Sequence, residues 1–191
     1  TKFSLHIVVV AHEPNESPSA VELGQLRQYC HSDIILIKAR EDKPFLSLGQ
    51  AISAARTEVC VLLDGGVLFA SNDWLSKLVA PLLQDNVAAV GGKCITPQDK
   101  VIGGALVLGA GAEGIAELLE IRKSPTWATA CPDIVGRIDV SALTAHCLAI
   151  RKSVFLDAGG FRSDKYPLYS GLLDLCLRWK QANKRLIYDP H

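Results

Sequence analysis

The stretch Val59-Cys60-Val61-Leu62-Leu63-Asp64-Gly65-Gly66-Val67 decides how this chain is read. An unbroken apolar run closed by an acid and a glycine pair is the pattern of a buried strand that hands a carboxylate to a loop. Ligands of open α/β sheets gather beyond the carboxyl ends of the strands, so Asp64 stands where a site would form. Upstream, Leu5 to Val10 and Asp33 to Lys38 read as two further buried strands. A loop over Ala11 to Ser19 and an amphipathic helix over Ala20 to Cys30 join them. Pro44 to Arg56 places Phe45, Leu48, Ile52 and Ala55 on one helical face. Downstream, Asn72 is positioned to cap a helix running through Leu83, with Trp74, Leu75, Leu78 and Leu82 sharing a face. Val87 to Val90 follows as a fourth strand. This alternation predicts an α/β sheet with parallel strands.

The second half is patterned differently. Lys93 to Thr96 and Val101 to Leu108 are short β segments around the turn Pro97-Gln98-Asp99-Lys100. Gly109 to Gly114 reads as a loop, because its glycines follow a strand without opening a helix. Ser141 to Ile150 is an apolar strand, Leu172 to Ala182 a helix, and Lys184 to Tyr188 a last short strand. Leu172, Leu175, Cys176 and Trp179 lie at i, i+3, i+4 and i+7, a continuous apolar helix face.

At 191 residues the chain fits one domain of two halves, 1–92 and 93–191. With 49% hydrophobic and 21% charged residues it is globular in composition. Lys and Arg together number 20, as do Asp and Glu, so no net charge points to nucleic acid or a membrane surface. No apolar run is long enough for a transmembrane helix, and the start has no signal-peptide pattern. The absence of Met suggests a piece of a longer chain. The six cysteines form no Cys-x-x-Cys pair; the expectation is small buried hydrophobes in a reducing, cytoplasmic compartment.

Ser141 through Phe155, a strand ending in Arg151-Lys152, precedes Ala158-Gly159-Gly160-Phe161. Asp174-Leu175-Cys176-Leu177-Arg178 is followed by Lys184-Arg185-Leu186-Ile187-Tyr188-Asp189-Pro190-His191. With the Asp64 element these segments, in this order, resemble family-2 glycosyltransferases, above all the bacterial polysaccharide and rhamnan-type enzymes. The resemblance implies a GT-A-like mixed α/β sheet with a Rossmann-like front half and flanking helices. It makes 1–92 the nucleotide-sugar half and 93–191 the acceptor side. It also implies an inverting transferase with Mg²⁺ or Mn²⁺ on the donor diphosphate, a carboxylate base and a glycan acceptor, as part of a longer chain.

Four functional positions depart from the family pattern. Asp64 stands at the first acid of the metal motif, but Gly66 stands at the second. Lys38 replaces an acidic base contact, and Gly49 an asparagine. Leu172 occupies the general-base position, expected to face the cleft, and a leucine cannot deprotonate a hydroxyl; losing a base costs about 10² to 10⁴ in rate. The donor-side candidates are therefore Asp64, Gly65, Gly66 and Lys38, with Asp64 alone left for a metal. Asp64 reads either as a metal or ribose ligand or as a strand-end acid starting a turn. Asp174 reads either as an acceptor-side acid or as the partner of Arg178 at i+4. His146 reads as a replacement base or as a packed histidine of its strand. Trp127 reads as a sugar-stacking residue or as a loop tryptophan covering the core. These departures favour a degenerate, non-catalytic domain. The alternatives are an active transferase with an unusual base or a metal-independent site, and a nucleotide- or glycan-binding module.

Overall fold

The structure is a computed structural model that describes residues 7–11, 34–38, 44–64, 67–69, 71–98, 100–109, 116–118, 136–162, 164–166 and 170–191. In chain order the elements begin with β1 (Ile7–Ala11), β2 (Ile34–Lys38), α1 (Pro44–Ala54) and β3 (Val59–Leu63). Then come α2 (Trp74–Val79) with a 3₁₀ turn over Ala80–Leu83, and β4 (Val87–Gly92). The short strands β5 (Cys94–Ile95), β6 (Val101–Gly103), β7 (Ala105–Leu108), β8 (Ala116–Leu118), β9 (Ile138–Asp139) and β10 (Ala142–Leu143) follow. The chain closes with β11 (Cys147–Arg151), α3 (Lys152–Asp157), α4 (Ser170–Gln181) and β12 (Arg185–Asp189). The helix expected over Ala20 to Cys30 lies outside the described residues.

β1 and β2 pair in parallel, as the alternation predicts. The main sheet does not stay parallel. Its order is β3-β11-β4-β12-β9, with β11 antiparallel to both β3 and β4, and β12 parallel to β4. Hydrophobic alternation shows that a strand is buried, not which way its neighbour runs, so the mixed topology is a long-range outcome.

Side chains alternate along β11 and serve two cores. Leu148 and Ile150 join the core formed with α1, α3 and α4, which includes Phe45, Ile52, Phe155, Leu172, Leu175 and Trp179. Cys147 and Ala149 face the other way, against Leu78 and Leu82 of the α2 layer. The sheet is thus covered by helices on both faces, the α/β architecture the sequence predicts.

Three boundaries shift. The expected strand Ser141 to Ile150 is two strands in different sheets, with β10 pairing β7 and β11 entering the main sheet. Thr144 makes the break: its N–H donates to the Gly104 carbonyl at 2.9 Å, and its Oγ1 accepts from the Gly104 N–H at 2.8 Å. That exchange ties the turn to Gly104, which likewise divides the expected strand Val101 to Leu108. Finally, Asp73 and not Asn72 precedes the helix, and Pro81 converts its last turn to 3₁₀.

Gly104 is held at a φ of +143°, and a Cβ there would lie 2.8 Å from Cε2 of the buried Tyr188. Gly104→Ala is expected to cost about 2–4 kcal/mol through backbone strain and overpacking together. Urea unfolding checks this; an unchanged midpoint would mean that the β6–β7 bend is not held against β12.

Candidate functional site

The carboxyl ends of β3, β4 and β12 meet the amino end of β11 on one edge of the main sheet. Asp64 follows β3 directly and is exposed. Its N–H donates to the His146 carbonyl at 2.9 Å, and its own carbonyl accepts from the Val67 N–H at 3.1 Å. The backbone of Asp64 is therefore locked into the start of a turn, and its side chain projects beside the strand end. Phe69, just beyond, stacks on Trp74 with ring centroids 3.8 Å apart.

His146 is not within a strand, as the sequence reading had it, but in the bend that enters β11. Its ring lies over Gly103, where a Cβ would sit 2.8 Å from Nδ1. That Nδ1 is buried and has no hydrogen-bond partner among the described residues. His146 and Asp64 are thus brought together, through the backbone, on one edge.

At the other end of the edge, Asp189 closes β12 and is only 2% exposed. Its Oδ2 accepts from Arg137 Nε at 2.7 Å, and its Oδ1 from the His191 N–H at 3.1 Å. Arg137 also donates to the Lys77 carbonyl at 2.9 Å. Sequence reasoning passed over Asp189 and Arg137, since nothing in a strand-end acid reveals a distant arginine. Both Asp189 oxygens already accept hydrogen bonds, so the group works as a structural tie.

Leu172 is 2% exposed and sits in the main core. The expectation that it faces an open cleft is corrected. The first turn of α4 packs inward there, beside Gly171 and Phe45. The helix face read from the spacing is real: Leu172, Leu175, Cys176 and Trp179 are all buried.

Asp174 and Arg178 also come together. Arg178 Nε donates to Asp174 Oδ2 at 2.9 Å, and Nη2 lies 2.8 Å from the same oxygen. Arg178 Nη1 donates to the Ala158 carbonyl, and Nη2 to that of Gly160 at 2.7 Å. The pair clamps the Gly159-Gly160 turn, where both glycines have positive φ. Arg151 at the end of β11 and Lys152 at the start of α3 are likewise spent on carbonyls: Arg151 on Leu82 and Gln84, Lys152 on Ala55 at 2.6 Å. Lys38 ends β2 opposite Ala11. Gly65, Gly66 and Trp127 lie outside the described residues.

Among the described residues, no group of three or more His, Cys, Asp or Glu is arranged to hold a metal ion. Asp64 by itself supplies a single carboxylate toward a Mg²⁺ or Mn²⁺. No helix among the described residues is long and apolar enough to cross a membrane.

The chain superposes on GalNAc-T7, solved with UDP, GalNAc and Mn²⁺, with a TM-score of 0.69. The match covers 97% of this chain and 36% of that one, at 13% identity. It superposes also on the mannosyltransferase PcManGT from Pyrobaculum calidifontis, solved with GDP-Man and Mn²⁺, with a TM-score of 0.63. There it covers 97% of this chain and 45% of the other, at 18% identity. The fold is that of the GT-A glycosyltransferases. In sequence, the chain is 26% identical over 190 residues to the uncharacterized protein y4gI of Sinorhizobium fredii. It spans 98% of this GT-A-like chain but 20% of that relative. No protein-family model matches the chain.

Arg178→Ala is expected to destabilise the fold by about 2–4 kcal/mol, because it leaves Asp174 with only the longer Arg162 ion pair at 3.8 Å and removes the donor from two turn carbonyls. Asp174→Asn should cost less, since the amide oxygen still accepts from Arg178. Chemical denaturation of both variants decides; equal, negligible losses would show that the clamp is not structural.

Proposed function

We propose that this chain is a glycosyltransferase-like domain of the family-2 type that has lost catalysis. It would act within a longer, cytoplasmic glycan-assembly protein of the bacterial polysaccharide kind. The observation that carries this reading is the fate of helix α4. Its base position is filled by Leu172, turned into the core, and its neighbouring acid Asp174 is held by Arg178. No acid on this helix is left to deprotonate an acceptor.

The donor end supports the same reading. Asp64 keeps the first acid of the metal motif, while Gly66 brings no carboxylate and Lys38 brings the opposite charge to the base-contact position. Both solved neighbours carry a nucleotide or nucleotide sugar with Mn²⁺. In this reading the chain keeps their architecture, residues 1–92 as the donor half and 93–191 as the acceptor half, without the paired acids. Trp127 would belong to the acceptor side.

One observation favours a second reading, an inverting transferase that works without a protein-held metal. His146 stands beside Asp64 with a buried Nδ1 unsatisfied among the described residues, as a recruited base or phosphate contact would. Calorimetry with UDP-, dTDP- and GDP-sugars, with and without Mn²⁺, separates the two. The proposal expects no binding tighter than the millimolar range and no nucleotide release over a buffer control. Metal-dependent micromolar binding would overturn it. Turnover lost in His146→Gln would establish the second reading in its place.

A further inference from the structure

Two thiols converge on one glycine at the same sheet edge. Cys147 opens β11 beside the end of β4, and a Cβ at Gly92 would lie 3.2 Å from its Sγ. Cys94 comes two residues after Gly92, and its Sγ turns back to 3.9 Å from the Gly92 carbonyl oxygen. Both sulfurs therefore sit against the backbone of Gly92. A Cβ at Gly92 would crowd the Cys147 sulfur. Both cysteines belong to the smaller core, at 7% and 9% exposure. Cys60 and Cys176 lie in the other core, on the far face of the sheet.

The pair is chemically unequal. The Cys94 S–H donates to the Cys147 sulfur, and this, with the Gly92 amide, holds Cys147 below the ordinary thiol range despite its desolvation. Cys94 is pushed up by that same hydrogen bond, by burial and by the negative charges of Cys147 and Asp64. Burial pushes Cys60 up as well, and Cys176 up to about 12. A thiol held below its usual range beside one pushed above it is the arrangement of an attacking and a resolving thiol.

We propose that Cys94 and Cys147 form a redox modification site that closes to a disulfide on exposure to a peroxide. The Cys147 thiolate attacks one oxygen of hydrogen peroxide; the O–O bond breaks and hydroxide leaves, to be protonated to water. The product is a sulfenic acid on Cys147. Cys94 then attacks that sulfur, the S–O bond breaks, and the departing hydroxide leaves as water with the Cys94 proton. Two thiols lose two electrons in total, and one peroxide becomes two waters. The new bond pins the β5–β6 hairpin to the start of β11, next to the His146–Asp64 turn. The site stands independently of donor binding.

The test treats the native chain with a slight excess of hydrogen peroxide, blocks remaining thiols with iodoacetamide, and maps unreduced peptides by mass spectrometry. The expected product is a peptide pair joining Cys94 to Cys147, separated by dithiothreitol, with Cys60 and Cys176 recovered as thiols. In Cys94→Ser, Cys147 should instead accumulate as a sulfenic acid that dimedone traps. Recovery of both cysteines as thiols while others oxidise would overturn the proposal. So would a bond from either one to any other cysteine. The wild-type map alone decides the matter even if the variant fails to fold.

Discussion

Everything in this fold depends on β11 lying antiparallel between β3 and β4. Leu148, Ala149 and Ile150 have no exposed surface, and their alternate sides feed two separate cores. Removing β11 would part β3 from the rest of the main sheet and leave both helical layers without a floor. The same placement brings the His146 carbonyl to the Asp64 N–H and so fixes the acid at the sheet edge. Asp64 is held by the packing of the strand beside it, through hydrophobic burial and a backbone hydrogen bond.

Several charged side chains around the main sheet are taken up by the scaffold. Arg178 and Asp174 close the Gly159-Gly160 turn, Arg137 and Asp189 tie β12 to the segment ahead of β9, and Arg151 and Lys152 hold carbonyls of other layers. Burying such groups is costly unless they are paired, and here the pairing is what stabilises the loops around the sheet. The core of α4 shows the complementary point. Leu172 adds apolar packing to that core.

Local features of the fold were legible in the sequence. The run ending at Leu63 gave β3 and its terminal acid, the i, i+3, i+4, i+7 face gave the buried side of α4, and Pro97 to Lys100 gave the β5–β6 turn. Long-range features were not. The apolar stretch from Ser141 to Ile150 carries no Gly or Pro to betray its change of sheet; the break is made by Gly104, distant in sequence. Antiparallel pairing of β3 with β11 leaves no trace in either strand. Leu172 could be assigned to an apolar face, but whether that face met a cleft or a core depended on how α4 packs on Phe45 at Gly171. The meeting of Cys94 with Cys147 was invisible for the same reason.

The central claim is that packing maintains this architecture while the chemistry of a transferase has been lost from it. The most direct measurement is a thermal melt and a donor-hydrolysis assay on the chain carrying Gly66→Asp together with Leu172→Asp. Groups that act as a unit are strongly non-additive, and Lys38 leaves the nucleotide end unrepaired. A carboxylate forced into the α4 core has no partner there and costs about 1–3 kcal/mol or more. The account predicts a lower melting temperature and no nucleotide release above the wild-type chain. An unchanged melt with clear turnover would contradict it, placing position 172 in an open, functional cleft.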